Sequence, residues 1–461
     1  MITLSATEIA DAIGAHRRQI ADEPANSGPL RATVDSREAG AGDIFFGLTG
    51  EQHDGGRFAG EVIEGGAWGV VVADEHFEAT CTAAQAAPQP AAVFAVADPL
   101  SSLGLLANRW RHELKAQVIG VTGSTGKTST KDILAALIGR SHTVAATPAN
   151  RNTEIGLPLT VLATPHGTEV LVLEMAMRGA GQIAELARIA EPDVGCIVNV
   201  GPVHLEQLGS MENVAAAKAE LIAALGRNAT AVVPANEPLL EPHLREGLTT
   251  TTFGPGGDVR LLGEDVEGVL RIATPAGEVQ LRPSFNEHHL TVNLLAAVAC
   301  AQAIGAPVEG DLTVNFSALR GEVREVLGGV TLIDDCYNAN PVSMRAALDN
   351  LARGGGRRVA VLGGMAELGP QSEHFHREIA AHAAETGVEL LVTVGELARA
   401  YAAGYPATIE HVNDPEEAAR IVRERSAPGD TVLVKGSRSV GLERIGEVLL
   451  ELSRSEWEVQ G

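Results

Sequence analysis

Val118-Ile-Gly-Val-Thr-Gly-Ser-Thr-Gly-Lys-Thr-Ser-Thr130 decides how the rest of the chain is read. The β-branched run Val118, Ile119, Val121 and Thr122 predicts a buried strand. Gly123, Ser124, Thr125 and Gly126 make a turn, and Lys127 and Thr128 open a helix that continues through Ile133 and Leu137. A nucleoside triphosphate calls for this arrangement. Glycines let backbone N–H groups curl around phosphate oxygens, the helix N-terminus adds partial positive charge, and a lysine reaches the terminal phosphates. Thr128 would offer its hydroxyl to Mg²⁺. The strict pattern has a glycine five residues before Gly126; here that residue is Val121, with Gly120 one place earlier. A glycine-rich turn alone also describes a plain strand-to-helix junction. The strand before it and the helix after it favour a phosphate-binding loop, with Ser129 in the first helical turn completing the expected ATP-binding set.

Around that loop lies a chain of 461 residues, long enough for about three domains. It is 45% hydrophobic and 20% charged, the balance of an ordinary globular protein with sizeable cores. Cys81, Cys196, Cys300 and Cys336 are scattered, so neither a disulfide framework nor a zinc knuckle is implied, and a reducing cytosol is expected. The first residues lack a basic segment followed by an apolar core, so no signal peptide is visible. No apolar run approaches the ~20 residues of a membrane span. A net charge of −24 argues against nucleic acid as a partner. It also repels anionic substrates, so phosphate binding falls to local cations, helix ends and Mg²⁺.

Three units are expected: 1–108, 109–319 and 320–461. In the first, Ser5 and Glu8 form a capping box ahead of a helix. Strands are expected after Gly42 and from Gly69, a helix at 58–66, and a low-complexity surface loop at 83–91. Asp35, Ser36 and Arg37 cluster at a strand end; alone they read as a satisfied turn. In the second unit, 169–174 and 194–200 are continuous apolar runs typical of buried parallel strands, 230–233 is a further strand, and 259–282 reads as antiparallel hairpins. A helix covers 288–304. The third unit alternates strands at 330–333, 359–362, 390–394 and 431–434 with helices starting near Ser343, Glu373, Glu396 and Glu416, a second doubly wound sheet. The fold class is therefore α/β: a smaller N-terminal α/β domain, a central sheet carrying the phosphate loop, and a C-terminal Rossmann-like sheet.

Ligands of open α/β sheets sit at the carboxyl ends of strands, where Glu174 and His204 lie beside the phosphate loop. Glu174 stands where such folds place an Mg²⁺-directed carboxylate, the alternative being a helix-capping acid. His204 reads as a metal ligand or as an ordinary core or surface histidine; its place after the next strand favours the ligand. Lys218 shares a helical face with Val214, Leu221, Ile222 and Leu225, in a helix that Ser210 can cap. It is either buried, which lowers its pKa toward the neutral amine, or snorkelling with its head in water.

With these residues in place, the chain resembles the Mur ligases, three-domain ATP-dependent amide-bond formers of peptidoglycan synthesis, over nearly its whole length. The resemblance rests on Asp35-Ser-Arg, Gly42-Asp-Ile-Phe and His53-Asp-Gly in the first unit. It continues in the second with Thr122-Gly-Ser-Thr-Gly-Lys-Thr, Asn152-Thr-Glu-Ile-Gly-Leu-Pro, Glu174-Met and Asn199-Val-Gly-Pro-Val-His-Leu-Glu. The third unit adds Asp334-Asp-Cys-Tyr-Asn-Ala-Asn-Pro-Val-Ser-Met, Met365-Ala-Glu-Leu-Gly and Val434-Lys-Gly-Ser-Arg. The Tyr337-Asn-Ala-Asn-Pro stretch is the most specific to the dipeptide-adding branch of that family.

The resemblance implies roles residue by residue. Lys127 and Thr128 would serve the ATP phosphates and a first Mg²⁺. Glu174, His204 and Lys218, the last as a carbamate, would hold Mg²⁺. Arg320 would reach the γ-phosphate, Asn293 the adenine, and Asp335 and Asn338 would also serve ATP. Glu287 stands where the family has a glycine ahead of Asn293. Asp35, Ser36, Arg37, Asn152 and Thr153 would hold the uridine diphosphate substrate. The implied reaction joins D-alanyl-D-alanine to UDP-N-acetylmuramoyl-tripeptide through an acyl phosphate, with ATP and Mg²⁺, in a cytoplasmic monomer without nucleic-acid or membrane partners. The alternatives are a sister ligase or folylpolyglutamate-synthetase relative adding one amino acid, a non-catalytic nucleotide-binding subunit, and an ATPase switch. The set Lys127, Glu174, His204 and Lys218 argues against the non-catalytic subunit, and three domains with a second α/β sheet argue against the switch.

Overall fold

The central sheet is built from strands whose alternate residues feed two different cores. In Val170–Glu174, Val170 and Val172 face one core while Leu171 and Leu173 face the other, and Val118 and Ile119 divide the same way. That double burial is why these stretches are continuously apolar. The computed structural model describes residues 2–20, 28–50, 53–317, 321–326 and 329–449; Arg320 lies outside them. The central sheet runs Thr249–Phe253, Thr230–Pro234, Val194–Ile197, Gln117–Thr122, Val170–Glu174, Val144–Ala146, all parallel. Helices Lys127–Ile138 and His288–Ala303 cover one face, and Gln182–Ala190 and Met211–Ala224 the other. A four-stranded sheet follows, in which Arg260–Glu264, Leu270–Thr274 and Gly277–Pro283 are antiparallel, as the hairpin reading expects, and Gly310–Leu312 adds a parallel strand.

The first domain holds a five-stranded sheet in the order Arg17–Gln19, Ala92–Val96, Gly69–Ala73, Ile44–Phe46, Ala32–Thr33, with only the first strand antiparallel. Ser5 and Glu8 form the expected capping box on helix Ala6–Ala12. The surface loop expected at 83–91 is wrong in its first half. Helix Asp74–Ala86 runs through it and buries Ala84, and only then does the chain leave the helix. Alanine, the best helix former, made a helical turn resemble a low-complexity loop; Pro88 marks the true end.

The third domain has the expected second doubly wound sheet, in the order Glu322–Val326, Val330–Asp334, Thr431–Lys435, Arg358–Gly363, Leu390–Val394, Ile409–Val412. Only the first, edge strand is antiparallel. The helix expected from Glu396 is a 3-10 segment, Glu396–Ala403.

The joins differ. Helix Pro99–Leu114 runs straight through residue 108, and Trp110, 0% exposed, donates its indole N–H to Thr164 O (3.1 Å). One continuous core joins Ile9 and Phe94 of the first domain to Leu157 and Leu173 of the central one. The third domain instead meets the central one through loops and the ends of short helices. Val342 lies against Gly201, where an added Cβ would come within 3.0 Å of it, and Glu367 meets His204.

Candidate active site

Between strand Gln117–Thr122 and helix Lys127–Ile138, the turn is fixed from two sides. Gly126 is left-handed at φ +73°, and an added Cβ would stand 2.6 Å from the Oδ1 of buried Asn293. Asn199 braces the other side: its Oδ1 accepts the N–H groups of Ser124 (3.0 Å) and Thr125 (2.9 Å), and its Nδ2 donates to Thr125 Oγ1 (2.8 Å). Ser124 Oγ donates to Gly201 O (3.0 Å) and accepts from Gly201 N–H (2.8 Å). Lys127 Nζ folds back to donate to Gly123 O (2.8 Å). The helix's first-turn amides, Lys127 through Ser129, have no carbonyl partners within the helix and carry its positive end, the arrangement that binds phosphate.

Glu174 ends its strand 2% exposed. Thr128 Oγ1 donates to its Oε2 (2.8 Å) and Asn152 Nδ2 to its Oε1 (2.7 Å). Its own N–H donates to Thr147 Oγ1 (2.9 Å), and Lys131 Nζ donates to Thr147 O (3.0 Å). The carboxylate is thus buried among neutral donors, with no ion pair among the described residues. A carboxylate and a hydroxyl beside a phosphate-binding turn are a hard oxygen set that fits Mg²⁺. The helix-capping alternative for Glu174 is excluded by these partners. Asn152, expected at the uridine diphosphate, holds this carboxylate.

His204 is left-handed (φ +54°), and its Nδ1 hydrogen-bonds Glu367 of the third domain. That bond, with the charge of His204 and Arg178, holds the Glu367 carboxyl below the usual carboxylate range against the opposing effect of burial. Among the described residues, the one set of His, Cys, Asp or Glu side chains close enough to share a metal is Asp54, Glu75 and His76, in the first domain. Glu174 and His204 are therefore not gathered with a third such ligand; the remaining donor would have to be of another kind.

Lys218 resolves its alternatives. It is 1% exposed on helix Met211–Ala224, which Ser210 caps through the N–H of Asn213 (3.2 Å), so it does not snorkel. Burial drives its pKa well below the ordinary lysine value, and the charge of Lys127 adds to the shift. Two glycines put it there. Gly120 and Gly195 are paired in register on adjacent strands. Added Cβ atoms would come within 3.4 Å of Leu221 at Gly120 and within 3.1 Å of Leu221 and Leu225 at Gly195. The resulting trough lets the helix lie close to the sheet, one turn from Lys218. Gly120 therefore serves helix packing.

From the third domain, Lys435 Nζ bonds Asp335 Oδ2 (2.6 Å), Asp335 O (3.3 Å) and Asn338 O (3.0 Å), fixing the loop that carries both expected ATP residues. His289, at the start of helix His288–Ala303, lies within electrostatic reach of Asp335 and Lys435. The expected uridine diphosphate set splits. Arg37 pairs with Asp35 through Nε (2.9 Å) and Nη2 (2.5 Å), holding the Asp35 carboxyl at about 2. Ser36 sits between them, on the loop after strand Ala32–Thr33, which packs on helix Gly156–Ala163. Thr153 is exposed ahead of that helix. Asn199, Thr147 and Glu367 had no role in the sequence reading. Only Asn199 left a signal, a polar residue at the end of an apolar strand next to the phosphate-loop strand.

A phosphate loop and a buried carboxylate at the strand ends of one doubly wound sheet, with a buried lysine on a covering helix and a second such sheet beyond, define an ATP-dependent ligase site, and known relatives specify it. Residues 121–301 match the Mur ligase middle domain, and 319–438 match the Mur ligase, glutamate ligase domain. The chain belongs to the Mur ligase family. It is 35% identical to the UDP-N-acetylmuramoyl-tripeptide–D-alanyl-D-alanine ligase of Bacillus subtilis, over 91% of this chain and 92% of that protein. A crystal structure of MurF from Acinetobacter baumannii superposes with a TM-score of 0.84 at 28% identity, covering 97% of this chain and 98% of that one. MurF from Thermotoga maritima in complex with ADP gives 0.80 at 31% identity, covering 92% and 98%. Among the described residues no helix is long and apolar enough to cross a membrane.

Proposed function

We propose that this chain is an ATP-dependent ligase that joins D-alanyl-D-alanine to UDP-N-acetylmuramoyl-tripeptide. The observation that carries the reading is the strand-end cluster: the braced phosphate turn, Thr128 on the buried Glu174, and Lys218 beside Lys127. The relatives named for this reaction, similar over nine-tenths of the chain, support it. ATP phosphorylates the tripeptide carboxylate, giving an acyl phosphate and ADP. The dipeptide amine then attacks the acyl carbon and phosphate leaves. The first step brings two anions together. Lys127, the first-turn amides and Arg320 lower that repulsion. Mg²⁺, held by Thr128, Glu174 and His204, would supply further charge neutralisation at the phosphates.

Lys218 completes the site as a carbamate. Its neutral amine adds to CO₂ and releases one proton, turning an uncharged group into an anionic oxygen donor beside Lys127. Asp35, Ser36 and Arg37, with Thr153, receive the uridine diphosphate; Asn293, Asp335 and Asn338 border the nucleotide. The division at 108 and 320, a monomeric state and a cytosolic location complete the reading. With the third domain seated on the central one, water is kept from the acyl phosphate.

The test supplies ATP, Mg²⁺ and UDP-N-acetylmuramoyl-tripeptide with either D-alanyl-D-alanine or a single amino acid, and follows phosphate release and product mass. The dipeptide should be ligated far faster. Equal or better turnover with one amino acid would move the chain to a sister branch.

A further inference from the structure

The described residues include five non-glycine positions with positive φ, and two of them, His204 (+54°) and Glu367 (+62°), hydrogen-bond each other across the join between the central and third domains. Strained backbone of this kind persists only where its surroundings over-determine it. Here they do. Glu206 N–H donates to Glu367 O (3.3 Å), so the contact is made by main chain as well as side chain. Behind Glu367, Met365 N–H donates to Nε2 of the fully buried His376 (2.9 Å), whose Nδ1 donates to Ser372 O (2.7 Å). Ala366 N–H donates to Ser437 Oγ (2.9 Å). The loop is therefore rigid before it reaches the central domain.

We propose that Glu367 is a positioning residue for His204, so that seating the third domain sets the orientation of the imidazole at the nucleotide site. A carboxylate can only accept, so Nδ1 of His204 carries the proton. In the neutral imidazole Nε2 then keeps its lone pair, and the ring is held in the one tautomer that can bind a metal through that atom. The left-handed backbone at both residues aims the two side chains at each other. Asp54, Glu75 and His76 form a second cluster, but Asp54 already caps the turn at Gly56 (3.0 Å) and bonds His76 (2.7 Å), a closed structural pair.

This inference rests on the reading of His204 as a metal-binding side chain, and the experiment separates the two. Mn²⁺ binding to the full chain with ADP is followed by electron paramagnetic resonance for the wild type, E367A, E367Q, H204A and the double variant H204A/E367A. E367A should weaken Mn²⁺ binding about 10–100-fold, the usual effect of losing a group that orients a ligand. ADP affinity without metal should stay at the wild-type value. E367Q should recover much of the loss, because its amide oxygen accepts the same hydrogen bond. The double variant should bind Mn²⁺ no more weakly than H204A, since Glu367 acts through His204. Wild-type Mn²⁺ binding in both E367A and E367Q, or losses that add with H204A, would overturn the proposal. Wild-type binding in H204A would overturn the reading beneath it, and the proposal with it.

Discussion

Lys218, on a helix of the central domain, and Lys435, at a strand end of the third, are buried to nearly the same depth, 1% and 2% exposed. Their surroundings are opposite. Lys435 ends in a carboxylate and two carbonyls, the Asp335 side chain at 2.6 Å among them. Lys218 has no hydrogen bond or ion pair among the described residues, and the nearest charge acting on it is another cation, Lys127. A buried lysine is ordinarily tolerated only when paired. Lys435 obeys that rule and ties a loop. Lys218 breaks it, and an amine left unpaired and neutral is the form that can react. The same side chain is structural in one domain and chemical in the other.

The largest expected difference is in turnover and has opposite signs in stability. Lys218→Met should cut kcat roughly a thousandfold, the several-kcal/mol scale of metal-assisted charge stabilisation, while raising Tm, because a buried unpaired amine is replaced by an apolar chain of similar length. Lys435→Met should lower Tm, reflecting the about 1–3 kcal/mol of stability lost when buried polar groups are left unsatisfied. Thermal unfolding beside steady-state kinetics checks both. A fall in Tm for Lys218→Met would mean that the amine has a partner.

The pH dependence sharpens the same contrast. In carbonate-free buffer the folded state disfavours the Lys218 ammonium, whereas the unfolded chain protonates it below about 10.4. The unfolded state then binds more protons, so wild-type stability rises with pH up to that value and falls as pH is lowered toward the folded-state pKa. The Tm advantage of Lys218→Met over wild type should therefore widen from pH 10 toward neutrality. A constant difference would contradict it.

A smaller effect is expected from the trough beneath Lys218. Gly120→Ala puts a Cβ 3.0 Å from Met175 Cε and 3.4 Å from Leu221 Cδ1. Such overpacking costs about 1–3 kcal/mol, and it should lower kcat in excess of the loss in stability because the helix carrying Lys218 is displaced. Kinetics on fully folded protein at low temperature separates the two. Smallest in stability is Arg37→Ala. Arg37 is exposed, so its loss should leave Tm nearly unchanged, while the KM for the uridine diphosphate substrate should rise. An unchanged KM would remove Arg37 from that site.

How much of this was legible in sequence follows from burial. Runs such as Val170–Glu174 and Leu390–Val394 announce themselves because both faces are covered, whereas Ile409–Val412 and Glu322–Val326 are edge strands, mostly half-buried or exposed and carrying charged residues, and left no clear pattern. Thr128 and Glu174 could be found because both sit at the ends of recognisable elements. Glu367 could not: its partner His204 is 163 residues away, and nothing local marks the contact. The paired state of Lys435 was equally hidden, since Asp335 meets it only through adjacent parallel strands.

The most direct test of the contrast between the lysines is ¹³C NMR of the protein equilibrated with ¹³C-bicarbonate. A single carbamate carbonyl signal is expected in the wild type and in Lys435→Met, and none in Lys218→Met. No signal in the wild type under conditions that support turnover, or a signal that survives Lys218→Met, would contradict the account.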